Sequence, residues 1–182
     1  ARAAHSTVLS NGKMVVFGGL DGSRKNDTWQ LDLTNNSWSL LHDGSNNGIA
    51  PAPRNSITAL KVYNNNIVMF GGYGGTWSTT GVYNDVWIFD LSNNSWTQIT
   101  NVSGDIPPRM SGGQCHLSSS NMYIWGGNKL NEAGTSWTWQ LDVFKLNLEN
   151  YEWSKTNVNT KGLSKHTASV LYNGNMRVFG GL

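Results

Sequence analysis

Short apolar segments that end in a pair of glycines recur along this chain at a nearly constant spacing. The first segment reads VVFGG at residues 15–19, and later glycine pairs occupy positions 71–72, 126–127 and 180–181. The first glycines of successive pairs are separated by 53, 55 and 54 residues. A repeat of about 50 residues built from strand-length apolar segments is typical of β-propellers and related repeat arrays.

A second motif follows each of the first three glycine pairs. It reads NDTWQLDL at residues 26–33, NDVWIFDL at 84–91 and LDVFKLNL at 141–148. Each copy is followed, after a turn, by a tryptophan: Trp38, Trp96 or Trp153. Alternation of apolar and polar residues predicts four strands per unit, at about 5–10, 13–18, 28–33 and 38–41 in the first unit.

Asparagine-rich turns separate these predicted strands. Asn11-Gly12 and Asn173-Gly174 lie between the first two strands of the outer units, and two-residue hairpin turns need the positive φ that these residues tolerate. Residues 34–36 and 92–94 lead from the third strand to the fourth and are also rich in asparagine. Many of the 23 asparagines fall in such turns, which supports one structural unit used repeatedly.

These motifs together resemble the Kelch repeat. The connectors APAPR at 50–54 and GDIPPR at 104–109 resemble those of the longer-repeat Kelch subgroup, and the third copy departs from the pattern at Phe144 and Asn147. The resemblance implies an all-β fold, a Kelch-type β-propeller with three complete four-stranded blades plus the first two strands of a fourth. We expect one partial propeller over 1–182, with blades at about 1–50, 51–106 and 107–161 and a half blade at 162–182.

Residues that repeat in register are expected to have structural roles. Glycine pairs allow close backbone approach or positive φ, and Arg54 and Arg109 are expected to pair with carboxylates or carbonyls near the connectors. The aspartates of the second motif are expected to accept turn or backbone hydrogen bonds. The repeated aromatic side chains should be buried between neighbouring blades: Trp29, Trp38, Trp87, Trp96, Phe144 and Trp153.

Composition narrows the classes of function. The 182 residues are 38% hydrophobic and 13% charged, with a net charge of +2; no basic stripe indicates a nucleic-acid partner, and no apolar run predicts membrane insertion.

Cys115 is the sole cysteine, so no intrachain disulfide forms, and a buried, inert thiol is expected. No histidine or cysteine spacing predicts a metal site, and no cofactor is expected. The four glycosylation sequons occur at the chance level: Asn26, Asn35, Asn93 and Asn101.

The segment between the second and third strands differs most between copies. From the second glycine of each pair to the following Asp there are 8, 13 and 15 residues. Large aromatic and cationic residues in these segments are of the types enriched at binding hot spots. The resemblance implies that these segments and the connectors lie on one rim of the propeller, which we expect to contact a partner through Arg24, Tyr73, Trp77, Tyr83, Lys129 and Trp137.

The resemblance implies a non-catalytic scaffold for protein–protein interaction whose partner is unidentified. Two alternatives stay open, a fragment of a Kelch-containing enzyme similar to copper radical oxidases or sialic acid epimerases, and a structural subunit of a large assembly. Since propellers close into rings of about four to eight blades, we expect remaining blades or another chain to complete the ring. The same resemblance favours a cytoplasmic or cytoskeleton-associated location without assigning one.

Overall fold

The computed structural model describes most of the chain. Residues 46–48, 76–80, 132, 134, 157–166, 173–174 and 180–182 lie outside the described part, and for the strands after residue 166 only the backbone is described. Every regular element in the described part is a β-strand, as the sequence predicts. The strands form separate, mostly antiparallel sheets arranged as successive blades.

The first two blades are four-stranded sheets in which each strand pairs with the next along the chain. The first blade consists of β1 (Ser6–Ser10), β2 (Lys13–Asp21), β3 (Ser23–Asp32) and β4 (Ser37–His42). The second consists of β5 (Ala59–Tyr63), β6 (Asn66–Tyr73), β7 (Val82–Asp90) and β8 (Ser95–Ile99).

The third blade has a more divided sheet. Its main strands pair in the order β11-β12-β15-β16, and β9 adds to the outer edge in parallel, whereas β10, β13 and β14 form a small sheet of their own. A final hairpin of β17 and β18 packs beside β11. The bounds are β9 (Ser103–Gly104), β10 (Met110–Ser111), β11 (Gln114–Ser118), β12 (Asn121–Trp125), β13 (Asn128–Leu130), β14 (Trp137–Trp139), β15 (Val143–Asn147), β16 (Glu152–Thr156), β17 (Thr167–Tyr172) and β18 (Asn175–Phe179).

Local side-chain hydrogen bonds build the turns between third and fourth strands. Asp32 accepts hydrogen bonds from the backbone and hydroxyl of Thr34, and Asp90 accepts the same two from Ser92. These bonds hold the pKa of both aspartates below its ordinary value. Asn36 and Asn94 then adopt a φ of 57°, the left-handed conformation that asparagine tolerates.

The first two glycine pairs lie inside their sheets. Gly18 and Gly71 have φ values of 65° and 69°, and the strand register shifts at both positions, as in a β-bulge. A Cβ on Gly18 would lie 2.5 Å from the carbonyl oxygen of Arg54 in the next blade. The pair therefore permits both a bulge and a close contact between blades.

The strands continue past these bulges, which corrects the expected loop after Gly19. β2 runs on to Asp21 and β3 begins at Ser23, so most of the segment predicted as an irregular loop is a paired hairpin. The apolar pattern ended at the glycines and predicted a strand end there. A bulge restores pairing after one irregular position, and sequence periodicity does not reveal that.

Aromatic side chains of successive blades meet edge to face. Trp96 lies 4.9 Å from Phe17 of the first blade, and Trp153 lies 5.0 Å from Phe70 of the second, both measured between ring centroids. Both tryptophans are almost fully buried, in two core clusters between the blades. Burial of Trp87, Phe144, Trp96 and Trp153 agrees with the expectation from the sequence.

Trp38 departs from that expectation. It occupies the register position of Trp96 but is 53% exposed, against 2% for Trp96. Trp96 and Trp153 pack on the preceding blade, whereas nothing described packs on this face of the first blade. Trp29, on the same face, is only partly buried.

Candidate functional site

The rim of the molecule forms where the connectors between blades meet the ends of the hairpins. Arg54 accepts a hydrogen bond at its carbonyl from the backbone of Gly19 and donates its own backbone N–H to Lys25. The amide of Asn26 donates to the carbonyls of Gly44 and Pro51. These bonds place connectors and hairpins on one side of the blades, as the family resemblance implies.

The connector arginine of the second blade is a structural element of this rim. Arg54 is 1% exposed and forms a bidentate ion pair with Asp85, at 2.6 and 2.8 Å. It also donates to the carbonyl of Gly71 at 3.1 Å, and its guanidinium lies 3.9 Å from the ring centre of Tyr83. Trp87 completes the network by donating its indole N–H to Asp85 at 2.7 Å.

The first blade repeats this network. Arg2 forms a bidentate pair with Asp27 and donates to the carbonyl of Gly18, and Trp29 donates to the same carboxylate. Burial by itself would raise the pKa of Asp27, but the bonds from Arg2 and Trp29 outweigh it and hold that pKa below the ordinary value. Asp27 and Asp85 therefore accept hydrogen bonds from an arginine and from a tryptophan indole. The sequence had led us to expect hydrogen bonds from turn or backbone groups.

Arg24 and Tyr73 are brought together across the boundary between the first two blades. The Arg24 guanidinium lies 4.6 Å from the ring centre of Tyr73, and its Nε donates to Asn55 at 3.1 Å. Gly75 leaves room for this arrangement, because a Cβ there would lie 2.7 Å from Nη1 of Arg24. No described carboxylate pairs with Arg24. The rim thus presents a cation that is already positioned by an aromatic ring and an amide.

Lys129 and Trp137 lie apart from this cluster, on the small sheet of the third blade. Trp137 pairs with Leu130 across the β13–β14 hairpin, and Lys129 pairs with Thr138. Lys129 lines an open groove of about 810 Å³ between this hairpin and the connector that contains Ile106. Both predicted residues thus belong to a strand hairpin, whereas Trp77 lies outside the described residues.

A smaller cavity of about 350 Å³ lies where the connectors turn into the innermost strands. Ala4 and Ser56 in these turns have positive φ, and the backbone N–H of Ser56 donates to the carbonyl of Ala4 at 3.0 Å. Tyr73 also lines the cavity, so one predicted residue faces both the Arg24 cluster and the inner surface. Most other wall residues are small or polar, and the larger ones are His5, Ile57 and Gln114.

The titratable groups away from the rim have structural surroundings. Cys115 packs beside the core between the second and third blades, and burial raises the pKa of its thiol, as expected for an inert cysteine. Desolvation, assisted by the positive charge of Lys61, lowers the pKa of His116. Across the described residues, no three His, Cys, Asp or Glu side chains cluster in a way that would hold a metal ion.

Two rim features were missed by sequence reasoning. Arg2 was not recognised as the partner of Asp27, and Asn55 was not recognised as the group that orients Arg24. A signal for Arg2 was present, since it lies 16 residues before Gly18 and Arg54 lies 17 before Gly71. The Asn55 contact joins positions 31 residues apart without a repeated spacing, so no sequence signal indicated it.

Comparison with known proteins agrees with this architecture. The family model described as the KLHDC2/KLHL20/DRC7 Kelch-repeats domain matches residues 1–181. The chain belongs to the Kelch-repeat family. Among curated relatives, Kelch domain-containing protein 1 of Mus musculus is 27% identical over 94% of this chain and 47% of its own length. Host cell factor 2 of Homo sapiens is 31% identical over 69% of this chain and 18% of its own length.

The chain spans less than half the length of these curated relatives. An F-box/kelch-repeat protein of Arabidopsis thaliana is 29% identical over 93% of the chain, which spans 36% of that protein. The all-β fold and the partial Kelch propeller expected from the sequence are confirmed. Nowhere in the described part of the Kelch domain is there a helix suited to crossing a bilayer.

Proposed function

We propose that this Kelch domain is a non-catalytic scaffold that binds a partner protein through its rim. The observation that carries the proposal is the Arg24 cluster, in which residues of two blades hold one guanidinium in place. Arginine and tyrosine are enriched among residues that dominate binding energy. A side chain held in position before binding loses less conformational freedom when the complex forms.

The chemistry of the cluster indicates what it contacts. Nε of Arg24 donates to Asn55, and one face of the guanidinium lies against Tyr73, so both Nη groups are left without an acceptor among the described residues. Planar guanidinium groups donate in pairs to carboxylate oxygens. We assign this position to an acidic side chain of the partner, with Lys129 and Trp137 as a second contact region on the neighbouring blade.

The proposal is tested by quantitative affinity purification from cells that express the protein. Arg24→Ala combined with Tyr73→Ala should reduce recovery of a stoichiometric partner at least tenfold. Glu149→Ala is the matched control, because this exposed residue lies in the β15–β16 turn at the opposite end of the strands, and its recovery should equal wild type. Circular dichroism should show the same fold for all variants.

Unchanged recovery with the Arg24 and Tyr73 variant and with a Lys129→Ala, Trp137→Ala variant would refute the rim assignment. A stable complex that resists both variants would instead favour the structural-subunit alternative. Turnover of a substrate by the full-length protein would favour the enzyme alternative.

A further inference from the structure

The outermost strand of the third blade is covered by the start of a connector. The first strands of neighbouring blades contact one another, so β16 lies at the outside of its sheet. β9 pairs with it in parallel, with Ser103 beside Glu152 and Gly104 beside Trp153. The backbone N–H of Asp105 then donates to the carbonyl of Trp153 at 3.0 Å. The connector thus adds a fifth strand to this blade.

Two residues fit the connector to this edge. Gly104 has a φ of 79°, and a Cβ on it would collide with the carbonyl oxygen of Trp153, so glycine is required there. Oδ2 of Asp105 accepts a hydrogen bond from the backbone N–H of Lys155 at 3.0 Å. The carboxylate therefore takes the place that the next backbone carbonyl of a longer strand would occupy. A glycine followed by an acidic residue is what this edge selects.

The outermost strand of the second blade presents the same backbone groups. β8 pairs with β7 in the register in which β16 pairs with β15, so Trp96 corresponds to Trp153 and Gln98 to Lys155. The carbonyl of Trp96 and the N–H of Gln98 consequently point away from β7. No described strand pairs with this edge, and both Thr97 and Gln98 are exposed.

β8 also lacks the features that keep edge strands from pairing. Its sequence, SWTQI, contains no charge and no proline, and its register with β7 has no bulge. In the first blade, by contrast, the register of the outer strand β4 shifts at Leu41, as in a β-bulge. Proteins protect exposed edges with charges, prolines, bulges or covering segments. An edge on which the described residues supply none of these is suited to the addition of a strand.

We propose that the outer edge of β8 binds an extended segment of a partner protein by parallel strand addition. The segment repeats the chemistry of residues 103–105, with a glycine beside Trp96 and an acidic residue directly after it. The N–H of that acidic residue donates to the carbonyl of Trp96, and its carboxylate accepts from the N–H of Gln98. This contact uses the perimeter of the blades, so it is independent of the rim function proposed above.

The test uses the intact chain and a synthetic peptide. The probe is NVSGDI, the sequence of residues 101–106, acetylated and amidated at its ends. Amide hydrogen exchange at Gln98, followed by ¹H–¹⁵N NMR, should slow by about tenfold or more at saturating peptide, because its N–H gains an acceptor. Exchange at Thr97 should not change, since its N–H already faces β7.

Altered peptides test the two hydrogen bonds directly. Replacing the glycine of the peptide by alanine should abolish the protection of Gln98, because a Cβ would collide with the carbonyl of Trp96. Methylation of the backbone nitrogen of its aspartate should do the same, because it removes the N–H that donates to that carbonyl. Equal protection by the unaltered and altered peptides would overturn the proposal, and so would no protection at about 1 mM peptide.

A pair of variants at one position separates backbone from side chain. Gln98→Pro removes the outward N–H without breaking the pairing with β7, and it should lose binding in fluorescence polarisation with a labelled peptide. Gln98→Ala keeps the N–H and should bind as the wild type does. Equal binding by both variants would contradict the proposal. The altered peptides decide the question if circular dichroism shows that Gln98→Pro does not fold.

A deletion variant distinguishes a partner from the chain's own first connector. Residues 46–48 are removed, and the unaltered peptide is titrated against this variant and against the wild type. Similar affinity for both supports a partner segment as the occupant. Binding that is seen only after the deletion would assign the edge to the chain's own connector and overturn the proposal.

Discussion

The second and third blades carry the same connector arginine and the same aspartate, yet only the second blade joins them. Arg54 is buried against Asp85 and Tyr83. In the third blade Arg109 donates to the carbonyl of Val82, while Asp142 pairs with Lys155 at 3.0 Å. The motif residues are alike, but the networks differ.

Two substitutions account for this difference. Phe144 replaces the tryptophan whose indole N–H binds the aspartate in the other blades, and Gln140 stands where Tyr83 supports Arg54. The third blade also separates β13 and β14 from its main sheet, so its hairpin no longer continues the strands as in the second blade. Shared motif letters therefore indicate shared position more reliably than shared contacts.

The largest expected effect is loss of the buried network. Arg54→Ala leaves Asp85 without its cation and should lower the free energy of unfolding by about 3–5 kcal/mol. Arg109→Ala removes one hydrogen bond to a carbonyl and should lower it by about 1 kcal/mol. Urea denaturation measures both. Equal losses would contradict the contrast between the blades, and an Arg54→Ala, Asp85→Asn double variant should recover part of the first loss.

The tryptophan at each interface gives a second contrast. Trp96 donates its indole N–H to Thr28 at 3.2 Å. Val86 occupies the position that corresponds to Thr28, and the buried indole N–H of Trp153 has no acceptor among the described residues. Thr28→Val should destabilise by about 1–2 kcal/mol, since it leaves a buried donor unpaired.

Replacing the valine of the next blade by threonine should raise the free energy of unfolding rather than lower it. Val86→Thr offers Trp153 an acceptor and should stabilise by about 1 kcal/mol in urea denaturation. Val86→Ala is the control for lost packing and should destabilise. Destabilisation by Val86→Thr to the same extent would show that the hydroxyl does not reach the indole.

The turns before the fourth strands provide a smaller contrast. Asn94 and Tyr151 both have a φ of 57°. This left-handed conformation costs most residues other than glycine about 1–2 kcal/mol. Asn94→Tyr should therefore destabilise by about 1 kcal/mol, and Asn94→Gly should be close to neutral, both measured by thermal denaturation. Tyr151→Asn should raise the free energy of unfolding by less than about 1 kcal/mol, because Tyr151 also packs against the core. A neutral Asn94→Tyr variant would refute the role assigned to asparagine.

The pH dependence of the first blade should reveal the ionised Asp27. Its native pKa is lowered, so its contribution is fully present above the unfolded pKa of about 3.9 and is lost as pH falls through the lower native value. Asp27→Asn should make the acid limb of a stability–pH curve shallower below about pH 4. In a carboxyl ¹³C titration, Arg2→Met should raise the Asp27 pKa toward its ordinary value; an unchanged pKa would show that Arg2 is not its main stabilising donor.

The sequence predicts the fold well because its information is local and repeated. The period of the glycine pairs, the alternation within strands and the asparagine turns all depend on contacts between near neighbours. Trp96 and Trp153 could be assigned to blade interfaces from the repeat alone, since every copy must bury its sheet faces. Strand ends after the glycines were misplaced because a bulge interrupts the pattern without ending the pairing.

By itself, then, the sequence determined the repeat and the order of the strands within it. Only the tertiary structure shows that Arg24 contacts Tyr73 and that Arg109 does not pair with Asp142. It also shows that Trp38 is exposed whereas Trp96 is buried. The physical reason is that these outcomes depend on distances between different blades. Residues at the same position of the repeat therefore make different contacts, because the neighbouring blade offers an aromatic ring in one case, an amide in another and no contact in a third.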